Sequence, residues 1–178
     1  MNDISRLPHE LDRKKRQCKA IIETPKGRRT KFKYEEDSGL FSLSKILPQG
    51  FSFPFDFGFI PSTIGEDGDP LDIIVMMDEP AHVGCLLQVR LLGAIKIMQT
   101  KDGKRTPNDR LVAVPVQSFE FANVQTLDDL HSKLTEQVTD FLALYNKNSD
   151  TQDEVTGTCG PEEAVELLEK AARRFQEQ

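Results

Sequence analysis

A chain of 178 residues with 38 % apolar and 29 % charged residues is long enough to bury a sizeable core and reads as one globular domain, residues 1–178. A formal net charge of −6 weighs against general nucleic-acid binding, and no window approaches the roughly eighteen uninterrupted apolar residues of a membrane span. Three widely separated cysteines, Cys18, Cys85 and Cys159, suggest neither a disulfide framework nor a zinc site, and the polar N-terminus, without a secretory core, leaves the cytoplasm as the expected compartment.

Residues 1–17 form a polar arm carrying Arg13-Lys14-Lys15-Arg16, a run that more often stays solvated than contacts nucleic acid or lipid. Cys18 to Glu23 reads as a strand, Lys26 to Arg29 as a turn, and Thr30 to Glu36 as a returning strand. In that returning strand Lys31, Lys33 and Glu35 share one face and Phe32 and Tyr34 the other. With Leu40 to Leu47 as a third strand, the chain opens as a β-meander. Phe51, Phe53, Phe55, Phe57 and Phe59 recur at every second residue, which places the rings on one face of an extended segment unless Pro54 or Gly58 interrupts it. Such a ladder suits a core or the lining of a site.

Gly65-Glu66-Asp67-Gly68-Asp69-Pro70-Leu71-Asp72 sets four carboxylates within seven residues, ahead of the apolar run Ile73 to Met77. Gly68 and Pro70 hold the acids in a turn, and the run behind them reads as a buried strand. Acidic turns are common on surfaces that bind nothing, but clustered acid oxygens on a stiff turn also suit a hard divalent cation such as Mg2+. The spacing excludes a calcium EF-hand: counting from Asp67, Leu71 falls at a ligand position and Asp72 where the loop needs glycine.

Leu86 to Ile97 continues as strand, broken near Gly93; Met98 to Asn108 reads as a polar loop, and Leu111 to Val116 as a short strand. From Thr126 the period changes to three and four, which predicts a helix of about five turns opened by a Thr126/Asp129 capping arrangement. Asn146 to Gly160 reads as a mobile polar connection, and a second helix starts at Pro161 with a stripe of Ala164, Val165, Leu168, Ala171, Ala172 and Phe175. Strands first and helices last give the α+β class. His9, His82 and His131 stand alone, and Cys159 has no identifiable catalytic partner.

Asp67-Gly68-Asp69-Pro70-Leu71-Asp72 is similar to the metal-binding stretch of the family I soluble inorganic pyrophosphatases. Ile21-Ile22-Glu23-Thr24-Pro25, Lys33-Tyr34-Glu35, Phe53 to Phe59 and Arg110 to Pro115 follow the family's order, so that the likeness covers residues 18–145. The resemblance implies a small closed β-barrel of OB type with two C-terminal α-helices packed on it, Mg2+-dependent hydrolysis of pyrophosphate to two phosphates (Mn2+ as a substitute), and a homo-oligomer. It implies Asp67, Asp69 and Asp72 as metal-binding and water-activating acids, with Asp69 the general base. Glu23, Glu35 and Asn108 would serve a further metal or its waters, and Lys33, Lys45, Arg110 and Tyr145 the phosphate oxygens. Departures are visible as well. Lys45 and Arg110 exchange the family's arginine and lysine, Gln99 and Asn108 stand for aspartates, Phe53 and Phe57 for tyrosines, and Tyr145 is followed by Asn146 with Lys147 one place late.

Fewer carboxylates and hydroxyls imply weaker cation binding and slower hydrolysis. The alternatives are a non-catalytic relative that binds a phosphorylated ligand or a partner protein, and a hydrolase of another phosphoanhydride. A single-strand-binding OB module, with Lys26, Arg28, Arg29, Lys31 and Lys33 near the phenylalanines, stands last because the acidic turn repels nucleic acid.

Overall fold

The computed structural model describes residues 3–145 and 151–177. Strands β1 (Gln17–Thr24), β4 (Asp56–Phe59), β5 (Asp72–Val75), β8 (Arg110–Pro115) and β6 (Leu86–Lys101) pair in that order, and β6 pairs back onto β1. The ring is closed, which removes the open edges a short sheet would expose. This is the expected OB-like barrel. β5 and β8 run parallel and the other ring pairs antiparallel. Two features let so short a ring close. Gly58 lies against β1 so tightly that a Cβ there would meet the Ile21 carbonyl oxygen at 1.9 Å, and the long β6 bends where its pairing with β8 shifts at Gly93.

Inside the ring Ile22, Ile73, Val75, Leu91 and Leu111 are fully buried, and α2 (Pro161–Gln176) closes one side with Ala164, Val165, Leu168 and Ala171. The expected stripe of the second helix is there, opened by Pro161 at its first turn. A second apolar cluster gathers Phe53, Phe55, Phe57, Leu92 and Val112 under α1 (Ser132–Tyr145), which contributes Val138, Phe141 and Leu142. At about 25 cal/mol per Å² of apolar surface, each such fully buried side chain is worth roughly 1.5–3 kcal/mol before conformational entropy is subtracted.

Several local expectations are corrected. There is no opening meander: β2 (Thr30–Glu35) and β3 (Leu40–Ile46) form a separate two-stranded sheet, while β1 pairs with β4 and β6. The phenylalanine ladder divides, because only Asp56–Phe59 is strand. Phe51 is exposed, Phe53, Phe55 and Phe57 join one cluster, and Phe59 packs with Ile21 and Tyr34 in another. Met98 to Asn108 is not a loop, since β6 runs on to Lys101 and turns into β7 (Lys104–Pro107). The helix expected from Thr126 begins at Ser132. Thr126 and Asp129 do form a capping box, but over a 3-10 turn, Leu127–Asp129, that breaks at Leu130.

The expected mobile connection is the largest correction. Asn146 to Asp150 lie outside the described residues, and Thr151–Cys159 is a strand, β9, paired antiparallel with β6. Its inner positions, Thr151, Asp153 and Val155, alternate with exposed Gln152 and Glu154. That period of two was masked by a nearly all-polar composition. The basic run is not free either. Arg13 makes a bidentate pair with Glu169 of α2, and Arg16 reaches Gln125 and Glu162. No helix among the described residues is long and apolar enough to cross a membrane.

Candidate active site

The acidic turn is fixed from below before its carboxylates are placed. Thr63 Oγ1 donates to the Ile60 carbonyl and accepts from Leu71 N–H, which pinches the base of the loop. Ile64 N–H donates to the Ala171 carbonyl of α2, and Arg174 of the same helix pairs with Glu66 at 2.9 Å. Gly68 sits at φ +92°, a conformation that side-chain-bearing residues rarely adopt, and Asp69 N–H donates to Asp67 Oδ1 at 3.2 Å. Asp67 and Asp69 therefore stand side by side outside the barrel, with Asp72 at the first position of β5.

These three acids border a cavity of about 590 Å³, and the same cavity is bordered by Glu23, Lys33, Glu35, Asn108, Arg110 and Tyr145. Lys45 sits at its rim: its Nζ lies 4.5 Å from the Tyr145 ring centroid and donates to the Tyr145 carbonyl at 3.0 Å. The site residues expected from sequence are thus brought together from β1, β2, β3, the acidic turn, β8 and α1. Backbone irregularities aim several of them. Glu23 is the extra residue of a bulge, between Ile22 opposite Gly58 and Thr24 opposite Phe57. A second register shift, beside Lys31, accompanies the facing pair Lys31 and Lys45.

The electrostatics differ around the rim. Burial raises the Glu23 carboxyl to about 7, against the pull of the Tyr34 N–H bond (2.7 Å) and of Lys31 and Lys33, while the charge of Asp72 pushes it up further. Burial also raises Asp67, and the neighbouring Asp69 charge adds to it. Asp72 is raised by burial too, although Arg110 beside it and Lys31 pull back. Burial pulls the Lys33 ammonium down, but Asp69 at 3.1 Å more than offsets this and leaves it raised. Lys45 is lowered, first by burial and then by Lys31. Lys31 and Arg110 stack on Phe57, at 5.3 and 5.9 Å from its centroid.

Sequence reasoning missed Lys31 and Lys101, which border the cavity, and Asp153 beneath it. For Lys31 the signal was present in the Lys31/Lys33/Glu35 face. For Asp153 it lay in the alternation of β9. Two acids near Gln99 and Asn108 do not take the places of the missing aspartates: Asp102 sits at the exposed tip of the β6–β7 hairpin. Asp109 points to the other side, accepting from Lys96 Nζ and Ile97 N–H beside a second cavity.

Whether these residues suit a divalent cation can be judged from the donor set. Asp67, Asp69, Asp72, Glu23 and Glu35 offer only hard oxygens, and Glu23, Asp67 and Asp72 are held in a state that disfavours their own charge. A dication relieves that state. Among the described residues no three acid, imidazole or thiol groups form a preformed cage, so the acids ring the cavity rather than converge. The donor chemistry fits Mg2+, with water completing its shell.

A closed OB-like barrel with a cleft that sets hard oxygen donors beside lysine and arginine defines a class: a small α+β protein with one cleft lined by both acids and bases. Residues 20–176 match the family described as inorganic pyrophosphatase, and the chain belongs to that family. It is 27 % identical over 173 residues to an inorganic pyrophosphatase of Synechocystis, covering 97 % of this chain and 99 % of the relative. It is 31 % identical to soluble inorganic pyrophosphatase 2 of Chlamydomonas reinhardtii, covering 88 % of this chain and 80 % of that one. The fold is similar to the crystal structure of an inorganic pyrophosphatase from Thermus thermophilus, with a TM-score of 0.89, 25 % identity, and coverage of 98 % and 99 %.

Proposed function

We propose that this chain hydrolyses inorganic pyrophosphate to two phosphates with Mg2+, acting in the cytoplasm as one domain. The observation that carries the reading is the gathering at one cavity of Asp67, Asp69 and Asp72 with Lys33 and Arg110, with Lys45 beside it against Tyr145. Pyrophosphate is a dense anion, so its hydrolysis needs its oxygens neutralised, a water deprotonated and a phosphate leaving group stabilised. Asp67, Asp69 and Asp72 would hold Mg2+, with Glu23, Glu35 and Asn108 binding its waters; when bound, the ion neutralises phosphate charge and makes water more acidic. Asp69 Oδ2, on the carboxylate whose Oδ1 pairs with Lys33, is the group assigned to take the water proton as oxygen attacks phosphorus. Lys33, Arg110 and Lys45 hold non-bridging and leaving oxygens, with Tyr145 as a further donor. The exposed apolar residues Leu40, Leu43 and Ile46 on β3 suit a homo-oligomer contact.

The test is phosphate release from pyrophosphate across a Mg2+ and Mn2+ titration, with a nucleotide panel alongside. Turnover that requires the metal and is lost in Asp69→Asn is the expected result. Affinity for pyrophosphate without turnover in the unmutated protein would instead favour a binding role.

A further inference from the structure

Asp153 stands on β9 directly across the strand pair from Gln99, and its side chain is 0 % exposed. A carboxylate taken out of water is costly unless hydrogen bonds and opposite charge compensate it. Two residues that border the cavity supply both. Gln99 Nε2 donates to Asp153 Oδ1 at 3.0 Å, and Arg110 Nη2 lies 3.6 Å from Asp153 Oδ2.

The same guanidinium is held from its other side by Asp72, whose Oδ2 is 3.5 Å from Nε. Arg110 is thus gripped between carboxylates of two strands that are not neighbours in sequence. Its Nη1 and Nε are buried and make no hydrogen bond among the described residues. Buried donors without an acceptor are costly to leave so, and the acceptor that a guanidinium fork fits best is an oxyanion. Without the charge of Asp153, the nearest anion to Arg110 is Asp72. Collapse onto it would withdraw the fork from the cavity and neutralise one of the acids opposite.

We propose that Asp153 is a positioning residue: it fixes the Arg110 guanidinium and the Gln99 amide at the border of the cavity, where the guanidinium meets a phosphate oxygen. The inference rests on the pyrophosphatase reading for the identity of that phosphate. It concerns a side chain that borders no substrate itself and acts through Arg110.

Asp153→Asn keeps the size of the residue and an oxygen for Gln99 while removing the charge. In the full-length protein with Mg2+, KM for pyrophosphate is expected to rise about tenfold, with a smaller fall in kcat, and the affinity for non-hydrolysable imidodiphosphate to weaken to match. In an Arg110→Lys background the same change should add little, because the fork it positions is already gone. Equal losses in both backgrounds would make the role merely structural and overturn the proposal. So would unchanged KM and affinity, an outcome that leaves the pyrophosphatase reading standing. If the unmutated protein turns nothing over yet binds imidodiphosphate, and Asp153→Asn weakens that binding tenfold, positioning holds and the hydrolytic reading falls. Should neither protein bind it, both fall. If Asp153→Asn does not fold, Gln99→Leu, which removes the donor to Asp153, carries the test with a smaller rise expected in KM.

Discussion

Two walls meet at one cavity, and they handle charge differently. On the acidic turn Asp67, Asp69 and Asp72 are crowded within six residues, with Lys33 as an exposed counter-charge on Asp69. On the wall of β6, β8 and β9, Arg110 is buried between Asp72 and Asp153 at 3.5 and 3.6 Å. On the first wall burial raises the proton affinity of Asp67 and Asp72, and the neighbouring acid charges add to it. The second sets one buried guanidinium between two carboxylates, and two of its nitrogens make no hydrogen bond among the described residues. Crowded hard-oxygen donors beside a fixed guanidinium suit the proposed metal–phosphate ligand better than either ion alone.

The comparison is broken most severely by removing the proposed base. Asp69→Asn should lower phosphate release by on the order of 10²–10⁴-fold. Its side chain is 59 % exposed, so the melting temperature should hardly move; a stable variant with unimpaired turnover would assign the base elsewhere. Next comes the second wall. Arg110→Met removes the guanidinium that both Asp72 and Asp153 approach, at a cost of about 3 kcal/mol in urea unfolding. A cost near zero would mean that the two carboxylates find other partners.

A pH series separates the walls further. Glu23 has its carboxyl raised from 4.5 to about 7 by burial. Its protonated form is therefore favoured in the folded state, and the stability this gives is complete below about pH 4.5 and lost as pH rises through 7. Asp67 and Asp72 shift in the same direction. Without metal, stability should fall between pH 5 and 8, and Glu23→Gln should flatten the slope and gain about 1–3 kcal/mol at pH 8. Mg2+ should flatten it in the unmutated protein also. A slope that ignores both changes would remove Glu23 from this account.

The smallest expected effect tests the amides. Asn108 borders the cavity, and Asn108→Asp should tighten Mg2+ by about tenfold in calorimetry, since a carboxylate offsets a dication as an amide cannot. Gln99→Asp should bring no such gain alone, because residue 99 faces Asp153 across the strand pair and two carboxylates there repel. Adding Asp153→Asn should restore the benefit; a full gain from Gln99→Asp by itself would show that Asp153 is not the obstacle.

Why one wall was legible in the sequence and the other was not follows from how each is built. Asp67, Asp69 and Asp72 share one turn, so their chemistry can be read from neighbouring residues, and the strand behind them is marked by an unbroken apolar run. Glu23, Lys33 and Arg110 could be placed only through family likeness, since nothing local says that three strands aim them at one cavity. Asp153 was hidden because β9 pairs with residues fifty or more positions away and has too few apolar side chains to announce its period. The helix expected at Thr126 started late because the apolar spacing continues across Leu130, while the backbone leaves helical geometry there, at ψ 147°. The ring closure of β1 on β6 is a long-range pairing that no segment carries in its own pattern.

The central claim is that the two walls close on one metal–phosphate ligand, and imidodiphosphate titrated calorimetrically at stepped Mg2+ concentrations tests it directly. The account predicts that affinity for the analogue climbs with Mg2+, that Mg2+ affinity climbs equally with the analogue, and that Asp72→Asn removes most of the coupling. Analogue binding of the same strength with and without Mg2+ would contradict it.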